Sequence, residues 1–185
     1  IGVLSQNTSD WNSTRAYIGL KRKVREITPE NIANSDIDDL REAIKSGGLY
    51  NMKSERLQKL ADYILQRYGD NLSKITQLSR EEARKELLKM PGIGQKTADV
   101  FLSECLNYGT LAVDTHIFRV SKRMGFVPED ADYDEVKEVL ERSISEDKRL
   151  RAHQLFIRLG RDYCKAKNPK CDECPLEEKC KKNIN

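Results

Sequence analysis

Four cysteines near the C-terminal end of the sequence have the residue type and the spacing of a metal-binding loop. Six, two and five residues separate them, and they are Cys164, Cys171, Cys174 and Cys180. Four thiolates this close in sequence can bind either a tetrahedral Zn²⁺ ion or an iron–sulfur cluster. The spacing alone leaves both open, although zinc sites more often contain two Cys-x-x-Cys pairs and only one is present here.

The cysteine count also bears on the cellular compartment. The chain has five cysteines, which is an odd number, and four of them lie in this one loop. Such a distribution does not suit a disulfide framework, so we expect a reducing, intracellular environment. Cys105 lies outside the loop, and we expect it to be a small buried hydrophobic residue.

A second candidate site is the Pro-Gly-x-Gly sequence between two predicted helices. Pro91 ends the first helix, and Gly92 and Gly94 permit positive φ angles and a close approach of the backbone to another group. A new helix begins at Gln95, and its first N–H groups can bind an anion such as a DNA phosphate. The alternative is an ordinary αα-hairpin with glycines in its turn.

A carboxylate follows further along the chain, in the sequence Val113-Asp114-Thr115-His116. Capping of the next helix is the structural role expected of Asp114. A functional role would be that of a carboxylate near the mouth of the hairpin. The sequence spacing leaves both roles open.

Helical patterns cover almost all of the chain that must position these residues. Apolar residues from Leu57 to Tyr68 follow the spacing of one buried helix face, and Gly69-Asp70-Asn71 ends that helix. Ser79 and Glu82 form a predicted capping box at the start of another helix.

Two more helices are predicted towards the C-terminal end. Asp132 can cap the first, and the second runs from about Lys148 to Cys164 and faces inwards with Leu155, Phe156 and Leu159. The only β-like run, 110–113, is short. We therefore predict an all-α fold of about eight to ten helices.

Composition agrees with a helical protein that has solvated, charged faces and excludes a membrane-spanning one. Charged residues make up 34% and aromatic residues only 6%, which suits solvated helices better than a β-sandwich. The net charge of +3 is small, and its excess lies mainly between Arg161 and Lys182, as a phosphate-binding patch or a solvated tail. No apolar run approaches the roughly 20 residues of a membrane span, and no secretory segment is present, so a cytoplasmic location is expected.

The hairpin and the aspartate segment together resemble the signature of the endonuclease III family. The matching segments are 91–98 and 113–119, and the resemblance extends from about Leu4 to Cys180. It implies a two-lobed helix-hairpin-helix DNA glycosylase fold, with the hairpin at about 88–98. One lobe would span 12–127, and the other would combine 1–11 with 128–185.

The resemblance also implies catalytic residues. In that family the lysine after the hairpin glycines is the nucleophile and the aspartate is the second catalytic residue, which correspond to Lys96 and Asp114. The amine must be uncharged to attack C1′ of a nucleotide that has been flipped out of the duplex. We expect its position near a helix N-terminus, with partial burial, to favour the neutral form.

The cysteine loop, at 164–180, resembles the loop that holds a [4Fe–4S] cluster in the same family. The resemblance decides between zinc and iron–sulfur, and we expect the cluster to have a structural role. Three lysines between the first two cysteines would then lie where a DNA backbone passes, and they are Lys165, Lys167 and Lys170.

Further DNA contacts follow from the same resemblance. In the hairpin they are Gly92, Gly94, Gln95 and Thr97. Gly48-Leu49-Tyr50-Asn51 matches a turn whose leucine wedges the base stack, so Leu49 is the wedge candidate. Gln6 and Asn7 are both candidates to fill the gap left by the flipped nucleotide, and an ungapped alignment places Asn7 at that position.

The function implied is that of a bifunctional DNA glycosylase and abasic-site lyase in base excision repair. Its partner would be double-stranded DNA with a damaged base, most readily an oxidised pyrimidine, or with an abasic site. The protein would act as a monomer inside the cell, at the nucleoid, and would not associate with a membrane. The alternatives are a thymine or uracil mismatch glycosylase of the same superfamily, a non-enzymatic DNA-binding module, and a zinc-stapled helical adaptor.

Overall fold

The structure, a computed structural model, describes residues 2–69 and 71–182, and these residues fold mainly into α-helices. No β-strand occurs in this part of the chain, and the run 110–113 is extended but unpaired, so the predicted all-α fold is confirmed. The helices are α1 Asp10–Val24, α2 Pro29–Ala33, α3 Ile37–Ile44, α4 Tyr50–Tyr68, α5 Ser73–Thr76, α6 Arg80–Leu88, α7 Gln95–Glu104, α8 Thr115–Met124, α9 Tyr133–Ser143 and α10 Glu146–Asp162.

Local signals in the sequence define several helix ends. Helix α4 ends at Tyr68, and Gly69 follows with a φ of 66°, as the glycine in the sequence predicted. Asp70 of the predicted stop signal lies outside the described residues. Helix α6 begins with the predicted capping box of Ser79 and Glu82, and α9 begins with a capping box formed by Asp132.

Two compact units divide the described chain, one up to Ala98 and the other from Asp99 onwards. This boundary lies within α7. The predicted lobes, 12–127 against 1–11 with 128–185, describe the two sides of a DNA groove and stay a prediction.

Each unit has its own hydrophobic core. The core of the first unit is built from the N-terminal turn and the inner faces of α1 to α4, and consists of Leu4, Ala16, Leu20, Val24, Ile32, Leu40, Ile44 and Ala61. The core of the second unit lies around the start of α8 and the inner face of α9, and consists of Leu111, Val113, Ile117, Val127, Ala131, Val136 and Leu140. Burial of such aliphatic side chains is the main force that stabilises each unit.

Two predictions about burial were wrong. Leu155 is 47% exposed, because the packed face of α10 contains Ala152, Phe156 and Gly160, which recur every four residues. Cys105 is exposed, because α7 ends at Glu104 and the cysteine lies in the turn that follows.

None of the helices in the described part of the chain combines the length with the apolar composition that a membrane span needs.

Candidate functional site

The helix-hairpin-helix turn is formed as the sequence predicted. Helix α6 ends at Leu88, and the Ile93 N–H donates a hydrogen bond of 3.1 Å to the Met90 carbonyl across the turn. Gly92 has a φ of 78°, a left-handed conformation that favours glycine. Gly94 is not in that conformation, but a Cβ added there would meet nothing within 4 Å. The turn therefore leaves an open surface beside Gly94.

Helix α7 begins directly after this open surface. The Ala98 N–H donates to the Gly94 carbonyl at 2.9 Å, so Gln95, Lys96 and Thr97 occupy the first turn. The N–H groups of a first turn have no acceptor within their own helix, and they carry the positive end of the helix dipole. This end of α7 is therefore suited to binding a phosphate.

Lys96 is exposed, contrary to the expected partial burial. The buried face of α7 is set by Ala98 and Leu102, and Lys96 points away from that face because it precedes Ala98 by only two residues. Its amine is therefore accessible to a reactant in solution.

Asp114 lies at the end of an extended segment and caps helix α8. Its Oδ1 atom accepts hydrogen bonds from the N–H groups of His116 and Ile117, both at 2.9 Å. The residue as a whole is only 9% exposed. Its Oδ2 atom makes no hydrogen bond to any described residue. Asp114 thus fulfils the capping role and still has one carboxylate oxygen for chemistry.

A buried polar network holds the extended segment that leads to Asp114. The Tyr133 hydroxyl donates to Asp99 Oδ2 at 2.8 Å and accepts from the Val113 N–H at 3.1 Å. The Lys137 amine donates to the other Asp99 oxygen at 3.0 Å and to Thr110 Oγ1 at 2.7 Å. Both ends of the segment, Thr110 and Val113, are therefore fixed by side chains that were not predicted from the sequence.

Two further charged residues complete this network. Glu141 accepts from the Leu111 N–H at 2.8 Å and lies 3.3 Å from the Lys137 amine. Arg149 is buried and donates to the Ile144 carbonyl at 3.0 Å, the Glu141 carbonyl at 2.6 Å and the Gly109 carbonyl. Burial acts to raise the pKa of Glu141, but the Leu111 N–H and the charge of Lys137 outweigh it and hold that pKa below 4.5.

The turns that carry the wedge candidate and the gap-filling candidates lie in the first unit. Leu49 is 51% exposed and precedes α4 with a φ of 49°. Asn7 is exposed with a φ of 50°. Both residues are therefore held in the left-handed region, which is uncommon for residues other than glycine.

Gln6 differs from Asn7 because both polar atoms of its side-chain amide form hydrogen bonds. Its Nε2 atom donates to the Gly92 carbonyl at 3.0 Å, and its Oε1 atom accepts from Arg56 at 2.9 Å. Gln6 thus connects the N-terminal turn to the hairpin.

The four cysteines of the C-terminal loop line one cavity. All four are unbridged thiols. Helix α8 holds the start of the loop, because Arg119 donates to the Cys164 carbonyl at 2.8 Å and Arg123 donates to the Lys165 carbonyl at 2.6 Å. The loop also folds on itself, with the Cys174 N–H bonded to the Cys171 carbonyl at 3.0 Å.

This donor set fits an iron–sulfur cluster. Among the described residues, no three His, Cys, Asp or Glu side chains are grouped as ligands of a single metal ion. A [4Fe–4S] cluster requires no such group, since each thiolate binds a different iron atom. Four thiols around one cavity provide the ligands that the cluster requires.

The three lysines of this loop are all exposed. The Lys170 amine forms an ion pair with Glu173 at 2.9 Å, and the hydrogen bond that it donates to that carboxylate raises the pKa of Lys170. Lys165 and Lys167 form no ion pair with any described residue. These two lysines therefore carry charge that is not neutralised locally.

Helices α8 and α10 approach closely beside Asp114. A Cβ atom added to Gly160 of α10 would lie 2.7 Å from Nδ1 of His116 in the first turn of α8. Arg119 adds a hydrogen bond of 3.0 Å to the Gly160 carbonyl.

Comparison with known proteins places these features in one family. Residues 2–146 match the HhH-GPD superfamily of base excision DNA repair proteins. The chain belongs to this superfamily. Residues 164–180 of this HhH-GPD protein match the iron–sulfur binding domain of endonuclease III, which confirms the expected [4Fe–4S] loop.

Individual relatives give the same result. The HhH-GPD chain is 35% identical to endonuclease III of Sulfolobus acidocaldarius, across 97% of this chain and 78% of that protein. It is 34% identical to endonuclease III of Thermotoga maritima, across 96% of this chain and 78% of that protein. A solved structure of a trapped endonuclease III–DNA covalent intermediate is 35% identical and matches with a TM-score of 0.85, across 97% of this chain and 80% of that one.

These findings establish the class of activity. The HhH-GPD chain is a DNA glycosylase and lyase of base excision repair, with a C-terminal loop for a [4Fe–4S] cluster. The alternatives of a non-enzymatic DNA-binding module and of a zinc-stapled adaptor were therefore wrong.

The residues that hold the segments of the site in place were not predicted from the sequence. The network around Asp99 has no signal in the local sequence, because its members come from separate helices. Lys53 had a signal, since it lies four residues before Leu57 on the buried face of α4 and is itself completely buried.

Proposed function

We propose that this chain is a bifunctional enzyme in which Lys96 is the nucleophile and Asp114 is the second catalytic residue. The observation that carries the proposal is the geometry of Asp114, with one carboxylate oxygen bonded to the start of α8 and the other without a partner among the described residues. A carboxylate fixed in this way needs no reorganisation to accept a proton or to stabilise positive charge on the sugar.

The chemistry proceeds in two stages. The neutral Lys96 amine attacks C1′ of the everted nucleotide, the C1′–N bond breaks, and the base leaves with the bonding electrons and takes up a proton. The proton lost from nitrogen passes to O4′ as the C1′–O4′ bond breaks, and this opening of the sugar ring gives an iminium ion between Lys96 and C1′. Removal of a C2′ proton then forms a C2′=C3′ double bond and breaks the C3′–O bond, so the phosphate leaves with the bonding electrons and the strand is cut on the 3′ side of the lesion.

DNA binding would use the open hairpin together with the first turn of α7. Gly92, Gly94, Gln95 and Thr97 provide a close backbone approach and a phosphate-binding helix end. Leu49 is the proposed wedge. Asn7 is the better candidate to fill the gap, because the amide of Gln6 is already engaged by Gly92 and Arg56.

The cysteine loop would support this interface without entering the reaction. Cys164, Cys171, Cys174 and Cys180 would hold the [4Fe–4S] cluster, whose contribution is to fix the loop. Lys165 and Lys167 would contact the DNA backbone. Lys170 would contribute less, because Glu173 already neutralises its charge.

The substrates we propose are oxidised pyrimidines in double-stranded DNA. The enzyme would act as a monomer inside the cell, at the nucleoid. The resemblance to endonuclease III and the lysine at position 96 favour this class over a mismatch glycosylase that lacks lyase activity. A panel of duplexes with thymine glycol, uracil, a T:G mismatch, 8-oxoguanine or an abasic site would distinguish them. Faster release of thymine from the T:G mismatch than of thymine glycol from its duplex would overturn the proposed substrate class.

Borohydride trapping tests the catalytic roles. Wild-type protein incubated with abasic-site DNA and borohydride should yield a covalent adduct, because reduction fixes the iminium bond. Lys96→Gln should lower the yield at least about a hundredfold, since a carboxamide cannot form that bond. Lys148→Gln, at an exposed lysine of α10, is the matched control and should trap like wild type. Equal trapping by Lys96→Gln would contradict the proposal.

A further inference from the structure

Lys53 is a lysine without any exposed surface. It lies in the first turn of α4, and its amine donates one hydrogen bond to the Leu4 carbonyl and another to the Gly47 carbonyl, both at 2.8 Å. Complete burial of a lysine is rare because the ammonium group loses its hydration. These two carbonyls therefore identify what the side chain does.

One of the two carbonyls belongs to the turn of the gap-filling candidate, and the other belongs to the turn of the wedge candidate. The Leu4 carbonyl precedes Asn7 by three residues, and the Gly47 carbonyl precedes Leu49 by two. The turns are distant in sequence, and each contains a left-handed residue that must be held in place by its surroundings. The Lys53 amine is bonded to both.

An ion-pairing role does not account for Lys53. It forms no ion pair with a described carboxylate, and burial lowers its pKa. An apolar residue would continue the buried face of Leu57, Ala61 and Ile64 at less cost. A long donor is useful at this position because it reaches both turns.

The packing around the Gly47 turn leaves little room for adjustment. A Cβ atom added at Gly47 would lie 3.0 Å from the Ala16 Cβ atom and 3.9 Å from the Lys53 amine. Displacement of either turn would therefore break a hydrogen bond or create a clash.

We propose that Lys53 is a positioning residue that holds the Asn7 turn and the Leu49 turn as one rigid unit, so that both side chains enter the DNA together. This inference rests on the wedge and gap-filling roles proposed above. Eversion of the nucleotide would then depend on Lys53, whereas the chemical steps at Lys96 would not.

Single-stranded DNA separates these two stages. An abasic site in a single strand has no paired stack to open, so wedge and gap-filler are not required there. In a duplex, misplacement of either side chain slows eversion, and an error near 1 Å can cost roughly a hundredfold in rate. The ratio of the two rates therefore reports on positioning.

The test uses the cluster-loaded protein with Lys53→Met, which keeps the length of the side chain and removes the donor. Single-turnover strand cleavage of a duplex abasic site should fall roughly tenfold to a hundredfold, while cleavage of the single strand changes less than about twofold. Lys59→Met, at an exposed lysine of the same helix, is the matched control and should leave both rates unchanged.

A second variant guards against a folding defect. Lys53→Gln retains a shorter donor and should fall between wild type and Lys53→Met in the duplex rate. If neither variant keeps the wild-type circular dichroism, Lys53 is an anchor of the fold and the proposal is overturned. Equal losses on both substrates, or no loss on either, would also overturn it.

Two controls separate this inference from the proposed function. If wild type cleaves neither substrate, the proposed lyase chemistry fails. If Leu49→Ala shows no duplex-specific defect, the wedge assignment fails. A duplex-specific defect in Leu49→Ala without one in Lys53→Met rejects the role of Lys53 alone.

Discussion

The two units of the molecule fix their irregular segments in different ways. In the first unit, one buried amine, that of Lys53, bonds two backbone carbonyls. In the second, the segment 109–113 is held by a network in which two carboxylates, Asp99 and Glu141, face Lys137 and Arg149. The first arrangement has a single donor, whereas the second distributes its charges over several partners.

This difference has consequences for tolerance to mutation and to pH. Loss of Lys53 removes both bonds at once and leaves two buried carbonyls without a donor. Loss of one member of the network leaves others in place, because Lys137 lies near both carboxylates. The network also contains titratable acids, so acidification should weaken it and should spare the Lys53 contacts.

The largest effect within the network is expected for Asp99→Asn. Asp99 has no exposed surface, and its charge balances that of Lys137. Breaking a buried pair costs about 3 kcal/mol, which should lower the melting temperature of the loaded protein by about 9 °C. Asp62→Asn, at an exposed site on α4, serves as the control. A decrease in the free energy of unfolding below about 1 kcal/mol would mean that Glu141 alone balances the charge of Lys137.

A smaller effect is expected for Tyr133→Phe. The change keeps the ring, which packs against Phe118 with centroids 6.3 Å apart, and removes only the hydroxyl between Asp99 and the Val113 N–H. The melting temperature should fall by about 4 °C, equivalent to about 1.5 kcal/mol. Combined with Asp99→Asn, the loss of stability should be less than additive because both changes act on the same Tyr133–Asp99 hydrogen bond. Full additivity would argue against a connected network.

The smallest effect, and the one that tests pH, is expected for Glu141→Gln. The pKa of Glu141 is held below its usual 4.5, so its contribution to stability is present above pH 4.5 and is lost as the pH falls further. At pH 7 the variant should melt about 3 °C below wild type, equivalent to about 1 kcal/mol.

The comparison with Lys53 completes this test. The difference in melting temperature between Glu141→Gln and wild type should become smaller as the pH is lowered from 7 to 3.5. The gap between Lys53→Met and wild type should not depend on titration of Glu141. If both gaps narrow together, the two regions do not differ as described.

Sequence predicted those features that depend on neighbours along the chain. The capping boxes at Ser79 and Asp132, the glycine at the end of α4 and the hairpin turn are all set by residues within a few positions of one another. The hydrogen bond from Lys53 to Leu4 and the burial of Asp99 depend on contacts with distant segments, which no local pattern records. Lys96 was expected to be partly buried, and its exposure follows from the phase of a helix whose buried face had not been identified.

The close approach at Gly160 limits how this protein could be engineered. Replacing a mid-helix glycine by alanine usually stabilises a helix by about 1 kcal/mol. Here the added methyl group would meet His116 at 2.7 Å, two residues beyond Asp114. A thermostabilised variant should therefore keep this glycine, because the usual gain in helix propensity would be spent on displacing the helix that Asp114 caps.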